Sequence, residues 1–216
     1  MDKVKRIRAK RLGPEQRKQQ LIRCAIDAFA THGIGRANHA QVAKLAKVAV
    51  PTVFSYYPTR EDLVDAVLQE VEDLLLGIIR TEALKKDLTA FQKLFNVLSN
   101  YINAIDQDTE LIKVFLDWTT SFEQHLSARM QEYLDSLVPL LSEIIEDGKR
   151  NNEFPPQVNP VDAALIIFSS ASILAQIRFY HVETNIARYV VNLISSALHL
   201  DESDQDHLAT IASNLK

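Results

Sequence analysis

Apolar residues recur every three or four positions along most of the chain, which is the spacing of one face of an α-helix. The alternation of apolar and polar residues that marks a β-strand does not stand out. Five glycines and seven prolines in 216 residues leave few places where helices must break. The pattern therefore predicts an all-α fold, in which three short helices and one long helix precede a multi-helix region.

Three short helices are predicted before residue 60. The first starts at Pro14, and Asn38 can cap the second with Gln41 as its capping-box partner. The third has Pro51 in its first turn and stops at Pro58. Two short helices joined by a tight turn form the helix-turn-helix pattern, whose second helix lies in the major groove of DNA. The residues expected to be buried are Leu21, Ile22, Ala25, Ile26 and Phe29 in the first helix, Val42, Ala43, Leu45 and Ala46 in the second, and Val50, Val53, Phe54 and Tyr57 in the third.

A fourth, longer helix is predicted from Arg60 to about Glu82, started by a capping box of Thr59 and Asp62. Asp108 is expected to cap one of the later helices. These later helices are predicted at 87–106, 109–122, 124–150, 160–180 and 183–199, with a weaker one at 203–214. The predicted domains are a flexible basic arm at 1–12, a helix-turn-helix DNA-binding domain at 13–59 and a helical regulatory and dimerisation domain at 60–216.

Charge is divided unevenly along the chain, whose overall net charge is −4. Residues 1–60 hold 13 Lys and Arg against three acids, a net of +10, and residues 61–216 hold 11 against 25, a net of −14. A basic N-terminal region suits a polyanion such as DNA, and an acidic C-terminal region does not. The arm is expected to reach into a minor groove, the alternative being a tail that only increases solubility.

The sequence offers little for catalysis. Its six histidines show no HExxH or i,i+4 pairing, and no glycine-rich phosphate loop or nucleophile elbow occurs. We therefore predict no enzyme activity, no metal site and no cofactor. Neither a membrane-spanning segment nor a signal peptide is predicted, and the single cysteine agrees with a reducing compartment, so a cytoplasmic location is expected.

Contacts to DNA divide into those that position the protein and those that read bases. Few of the candidate side chains discriminate strongly between bases, so the arm and DNA shape are expected to supply part of the specificity. Tyr57 also falls on the apolar face, and a core role for it stays open. The candidates are Arg6, Arg8, Lys10 and Arg11 in the arm, Lys44, Lys47, Thr52, Tyr56, Tyr57 and Arg60 for phosphates, and Pro51, Thr52 and Ser55 for base edges.

The predicted helices at 160–180 and 183–199 carry more apolar surface than one face of a domain needs. Pairing both helices with those of a second chain would bury this surface in a four-helix bundle and bring together two DNA-reading domains. The alternative is an ordinary intramolecular core. The residues concerned are Leu165, Ile166, Ile167, Phe168, Ile173 and Leu174 on the first helix, and Val190, Val191, Leu193, Ile194, Ala197 and Leu198 on the second.

Residues 37–63 resemble the DNA-binding domain of the TetR family of transcriptional regulators. The most specific match is the segment TVFSYYPTREDL at 52–63, supported by Phe29, Gly33 and Ala43. Within the family, residues 33–36, His39 with Ala40, and residues 58–65 are similar to the LuxR/HapR-type master regulators of quorum sensing. The resemblance implies a connecting fourth helix and a ligand-binding, dimerising C-terminal region.

Two differences from that branch lie on the predicted reading helix. Ser55 stands where the branch usually has Asn, and Pro51 stands where it has Ala, so we expect a different base preference. The ligand pocket implied by the resemblance is also expected to be more apolar, the alternative for the same residues being a solid core. The pocket residues implied are Leu75, Ile78, Ile79, Phe115, Trp118, Met130, Leu134 and Ser169.

Together these features predict a homodimeric, sequence-specific transcriptional regulator on a pseudo-palindromic operator. Double-stranded DNA and an apolar small molecule are its expected partners, and the resemblance implies a link to quorum sensing. Two other classes stay open: a helical partner-binding module that has lost DNA binding, which the basic N-terminal region argues against, and a helical enzyme.

Overall fold

The computed structural model of the protein describes residues 12–200, which contain nine α-helices and no β-strand. The predicted all-α fold is confirmed. The arm residues Arg6, Arg8, Lys10 and Arg11 and the helix predicted at 203–214 lie outside the described residues. The helices are α1 (Pro14–His32), α2 (His39–Ala46), α3 (Val50–Phe54), α4 (Arg60–Ala83), α5 (Ala90–Gln107), α6 (Thr109–Thr119), α7 (Gln124–Arg150), α8 (Pro160–Phe179) and α9 (Ile186–Ala197).

Side-chain caps start two helices as the sequence predicts. The carboxamide oxygen of Asn38 accepts from the N–H groups of Ala40 and Gln41 at 3.0 and 3.2 Å. Thr59 and Asp62 cap each other's backbone N–H groups at 2.9 and 3.0 Å. The predicted cap at Asp108 is wrong, because this residue also ends α5 and its backbone is not extended, so its side chain makes no cap hydrogen bond.

The described residues form two compact units that divide between Leu68 and Gln69. We refer to residues 12–68 as the head and to residues 69–200 as the body. This division lies within α4, after the predicted domain start at Arg60, because the first part of α4 packs with the head, where Leu63 and Val64 are buried.

Three apolar residues predicted in the core of the head are exposed instead. Leu45, Val50 and Phe54 are 46%, 37% and 47% exposed, and Ile26 is half-buried. At α3 the reason is the length of the helix. Five residues make only about one and a half turns, so the apolar residues of α3 cannot all point into the core. Val53 is the buried residue of α3.

The body is built from α5–α9 and the rest of α4, and an aromatic cluster lies in its core. Phe115 makes edge contacts to Tyr101, Tyr133 and Phe168 with ring centroids 6.2–6.5 Å apart. Trp118 lies against Tyr133 at 5.4 Å. Such pairs stabilise a core beyond the area that they bury.

Two carboxylates join elements of the body that are distant in sequence. Glu153, in the loop after α7, accepts from the N–H groups of Ala90 and Phe91 at 2.8 and 3.4 Å and so caps α5. Glu82, near the end of α4, is 1% exposed. Its carboxylate accepts hydrogen bonds from Lys85 at 2.7 Å, Asn96 at 3.1 Å and Asn100 at 2.9 Å.

Helix α8 is the element that bears on the prediction that no segment spans a membrane. It has 20 residues with a mean hydropathy of 1.6, so by length and composition alone it is long and apolar enough to cross one. A core helix meets the same criteria, and α8 packs on α5, α7 and α9. Its buried residues are Ala163, Ala164, Ile167, Ser170, Leu174 and Ala175.

Candidate nucleic-acid interface

Helix α3 presents the predicted base-reading residues at the surface of the head. Pro51 and Ser55 are exposed, and Thr52 and Tyr56 are half-buried. The hydroxyl group of Ser55 donates to the carbonyl oxygen of Thr52 at 2.7 Å. Because this bond uses its hydrogen, the Ser55 oxygen is left as an acceptor, which suits the amino group of adenine or cytosine.

A surface cleft of about 670 Å³ runs beside this face of α3. It brings Arg17, a residue that the sequence analysis missed, together with the predicted residues Thr52, Ser55 and Tyr56. Arg17 donates to the side-chain oxygen of Gln20 at 2.5 Å, and Gln20 donates to the carbonyl of Ala46 at 3.2 Å. The spacing of Arg17 and Gln20, three residues apart on α1, allows their hydrogen bond to be predicted from the sequence. The bond from Gln20 to Ala46 of α2 is a tertiary contact and could not be predicted in this way.

Of the other residues predicted to contact phosphate, two are exposed and two make contacts within the head. Lys44 and Lys47 are exposed, and Lys47 ends α2 in a left-handed conformation with φ 54°. Arg60 is half-buried and donates to the carbonyl of Ile34, so one of its N–H groups holds the loop after α1. Tyr57 is 4% exposed, so its predicted phosphate contact is wrong: it belongs to the core of the head, the alternative that was left open.

The body contains a small apolar cavity of about 50 Å³, far below the roughly 300 Å³ at which pockets for drug-sized ligands begin. Tyr101 lines it, and the Tyr101 hydroxyl is buried without a hydrogen-bond partner in residues 12–200. Burial raises the pKa of Tyr101 above its ordinary value. The lining residues are Leu75, Ile78, Ile79, Val97, Leu98, Tyr101, Phe115, Tyr133, Leu137, Leu141, Ile167, Phe168 and Ala171.

Four of the eight predicted pocket residues line this cavity, namely Leu75, Ile78, Ile79 and Phe115. The prediction is wrong for Trp118, Met130, Leu134 and Ser169. The Trp118 ring does not line the cavity; it contacts Tyr133 with ring centroids 5.4 Å apart, and its indole N–H donates to the carbonyl of Leu126 at 3.0 Å.

The other three residues do not border this cavity. Helix α7 lines it with Tyr133, Leu137 and Leu141, whereas Met130, one turn before this stretch, and Leu134 are half-buried and do not reach it. Ser169 is exposed and lines a separate groove between α8 and α9.

The groove between α8 and α9 has a volume of about 630 Å³ and is lined by four of the twelve apolar residues predicted for a dimer contact. Seven of the others are buried within the chain, as the alternative of an intramolecular core predicts: Ile167, Leu174, Val190, Val191, Ile194, Ala197 and Leu198. Leu165, Ile166 and Ile173 line the groove and are 39%, 48% and 48% exposed. Tyr189, Asn192 and Leu193 line it from α9. In residues 12–200, no group of three or more His, Cys, Asp or Glu side chains is arranged to hold a metal ion.

Comparison with known proteins shows which regulators the chain is similar to. Residues 21–67 match the model of bacterial regulatory proteins of the tetR family. The chain is 40% identical over 121 residues to the HTH-type transcriptional regulator LuxR of Vibrio harveyi, a match that covers 56% of this chain and 58% of LuxR. It is 24% identical over 151 residues to the fatty acid metabolism regulator protein of Bacillus subtilis, which covers 70% of this chain and 77% of that protein.

Solved structures share the fold. FadR from Bacillus subtilis in complex with stearoyl-CoA has a TM-score of 0.72 at 19% identity, covering 85% of this chain and 99% of that chain. FadR from Bacillus halodurans has a TM-score of 0.70 at 23% identity, covering 88% and 97%. These proteins and LuxR are named as regulators, not as enzymes. The predicted resemblance is thus confirmed: residues 21–67 are similar to the TetR-family model, and the chain is similar to the regulator LuxR over 121 residues.

Proposed function

We propose that the protein is a sequence-specific DNA-binding transcriptional regulator that reads its operator with α3. The observation that carries the proposal is the exposed face of α3 beside a cleft that contains Arg17. This face belongs to the basic part of the chain, since residues 1–60 have a net charge of +10. The cleft supplies a guanidinium group for phosphate, and Ser55 supplies an acceptor for a base edge.

The first experiment selects bound sequences from random DNA with the full-length protein. We expect a palindrome whose half-sites lie about one helical turn, or a multiple of it, apart. Arg17→Ala should weaken binding to all sequences and lower the salt slope by about one. The control Arg80→Ala removes an exposed arginine of the body and should leave both unchanged. The proposal fails if no sequence is enriched, or if both variants bind alike.

Ser55 tests direct reading separately from phosphate binding. Ser55→Asn introduces a side chain that both donates and accepts, so it should change the selected sequence more than the overall affinity. Selection with this variant should enrich adenine at the contacted position. Equal losses on every sequence would argue against a base contact at Ser55.

Truncation tests the proposed arm. Removing residues 1–12 takes away Arg6, Arg8, Lys10 and Arg11, so binding to all DNA should weaken and its salt dependence should flatten. The measurement is the affinity for operator and random DNA over a range of salt concentrations. An unchanged salt slope would contradict a DNA-binding role for the arm.

The proposed homodimer forms through the α8–α9 groove. Its support is the exposure of Leu165, Ile166 and Ile173 on one face of α8, which a second copy would bury. Ile166→Glu places a charge in that interface and should give a monomer by light scattering. Val161→Glu is the control, since Val161 is 47% exposed but does not line the groove. A dimeric Ile166→Glu would contradict this interface.

Modulation by an apolar ligand is a second proposal, supported by the cavity and by the fatty-acid regulators that share the fold. The cavity must widen to admit an acyl chain, and the Tyr101 hydroxyl offers it one hydrogen bond. Fatty acids and their methyl esters should raise the melting temperature and change the fluorescence of Trp118, which touches the cavity-lining Tyr133. Failure across a broad apolar library would indicate a solid core.

The cytoplasmic location and the link to quorum sensing complete the proposal. Both rest on the resemblance to the LuxR/HapR type. Transcript measurements at low and high cell density, in cells with and without the protein, test the link. A set of transcripts that depends on the protein equally at both densities would contradict it.

A further inference from the structure

Helix α3 is held in the head by little apolar burial. Among its five residues Val53 is buried, whereas Val50 and Phe54 are 37% and 47% exposed. One buried side chain fixes where a short helix sits, and its rotation is set largely by its packing on α2. A binding group must be held within about 0.5 Å and 10–20° of its productive geometry. The angle of α3 therefore depends on contacts outside the apolar core.

His39 makes two such contacts. It is the first residue of α2 and is 6% exposed. Its ring stacks on that of Phe54, the last residue of α3, with centroids 4.0 Å apart and planes inclined by 5°. Its Nε2 atom lies 2.7 Å from the carbonyl oxygen of Tyr57. Because a carbonyl oxygen only accepts, Nε2 carries the hydrogen and donates it.

The acceptor lies where the chain leaves α3. Tyr57 precedes Pro58, and a residue before proline is disfavoured in the helical conformation. The next N–H group, that of Thr59, donates to the Asp62 carboxylate at 2.9 Å. His39 thus supplies a donor to the backbone between α3 and α4, while its ring holds the end of α3.

We propose that His39 is a positioning residue for DNA reading, an inference that rests on the proposed function of α3. By holding Phe54 and the Tyr57 carbonyl at once, it fixes the rotation of α3 and so the placement of Ser55 at a base edge. A base contact requires the side chain of α3 to lie at one position on a base edge, whereas a phosphate contact carries no sequence information and has no such requirement. Base contacts therefore depend on the rotation of α3 more than phosphate contacts do. His39 therefore governs sequence discrimination more than overall affinity.

The test separates the two contacts of His39. His39→Phe keeps a ring that can stack on Phe54 and removes the donor, whereas His39→Gln keeps a donor and removes the ring. The control His32→Phe makes the same change at an exposed histidine of α1. Affinity is measured on the selected operator and on random DNA of equal length, over a range of salt concentrations.

We expect both His39 variants to lose about tenfold in affinity for the operator, equivalent to about 1.4 kcal/mol. Affinity for random DNA and its salt slope should stay within about twofold of the wild type, and His32→Phe should change neither. Circular dichroism verifies that each variant is folded. Equal losses on both DNAs, or full operator affinity in a folded variant, would overturn the inference.

A measurement without DNA tests the geometry itself. The ¹⁵N chemical shifts of the His39 ring should show the Nε2–H form in the free protein, as the bond to Tyr57 requires. A neutral ring protonated at Nδ1 would remove the basis of the inference. Failure of the wild-type protein to select any operator would instead overturn the proposed function.

Discussion

Gly148 and Gly77 are both helical glycines of the body, in α7 and α4, yet a methyl group would meet opposite surroundings at the two positions. A Cβ atom on Gly148 would lie 2.3 Å from two ring carbons of Phe154 and 2.9 Å from the Cβ of Ala90. A Cβ atom on Gly77 would find nothing within 4 Å. The same substitution, Gly→Ala, should therefore change stability in opposite directions.

The magnitude at Gly148 follows from three contributions. The ring of Phe154 must move by about 1 Å or more to reach ordinary contact distance, and Phe154 is only 4% exposed, so the overpacking costs about 1–3 kcal/mol. The adjacent residue Glu153 caps α5, and disturbing that cap costs about 1 kcal/mol more. Alanine regains about 1 kcal/mol through its helix propensity. We expect a net loss of about 1–3 kcal/mol in the free energy of unfolding.

Thermal unfolding at equal protein concentration measures both variants. Gly148→Ala should lower the melting temperature by about 2–12 °C, and Gly77→Ala should raise it by about 2–4 °C. Adding Phe154→Leu to Gly148→Ala should recover part of the loss, giving a coupling above about 0.5 kcal/mol in a double-mutant cycle. Wild-type stability in Gly148→Ala, or additive effects in the cycle, would refute the reasoning.

Three further predictions concern side-chain contacts. Arg129 pairs with Glu72 through two hydrogen bonds of 2.8 and 3.0 Å, but burial still raises the pKa of Glu72. Arg129→Met leaves this buried carboxylate unpaired, so it should destabilise the protein increasingly as pH rises through the pKa of Glu72. A loss of melting temperature that does not depend on pH would contradict this. Asn38→Ala removes the cap of α2 and should cost about 1 kcal/mol in thermal unfolding, whereas no change would show that the cap is dispensable. The hydrogen bonds from Thr59 lower the pKa of Asp62 in the folded protein, so its contribution to stability is present above the unfolded-state pKa and is lost as pH falls through the folded-state pKa. The melting temperatures of wild type and Asp62→Asn should therefore converge as the solution is acidified, and a constant gap would disprove this.

The periodic pattern predicted the long helices well and the short one poorly. Helix α7 begins at Gln124 and ends at Arg150, as predicted, because a broad apolar stripe persists over many turns. In α3 the periodic pattern predicted that Val50 and Phe54 are buried, but both are exposed. A helix of five residues has too few turns to bury all of its apolar residues on one face. Local caps such as Asn38 were predictable because both partners lie within one turn.

The candidate sites show where sequence reasoning ends. The exposed face of α3 could be predicted because Pro51 and Ser55 lie on the polar side of a short local pattern. The position of Arg17 beside α3 could not, because the cleft joins residues of α1 and α3 through tertiary packing that no local pattern shows. The cavity was half predicted, since an apolar pattern shows that residues are inside without showing which of them border one void.

The hydrogen bonds around Glu82 restrict which residues can replace it, and its neighbours, in related sequences. The three side chains at its carboxylate, Lys85, Asn96 and Asn100, all donate hydrogen bonds to it. A glutamine at position 82 would turn an amide N–H group towards other donors, so even this near-isosteric replacement leaves polar groups facing the wrong way. Positions 82, 96 and 100 should therefore covary, and a relative that lacks the acid should have exchanged at least one asparagine as well.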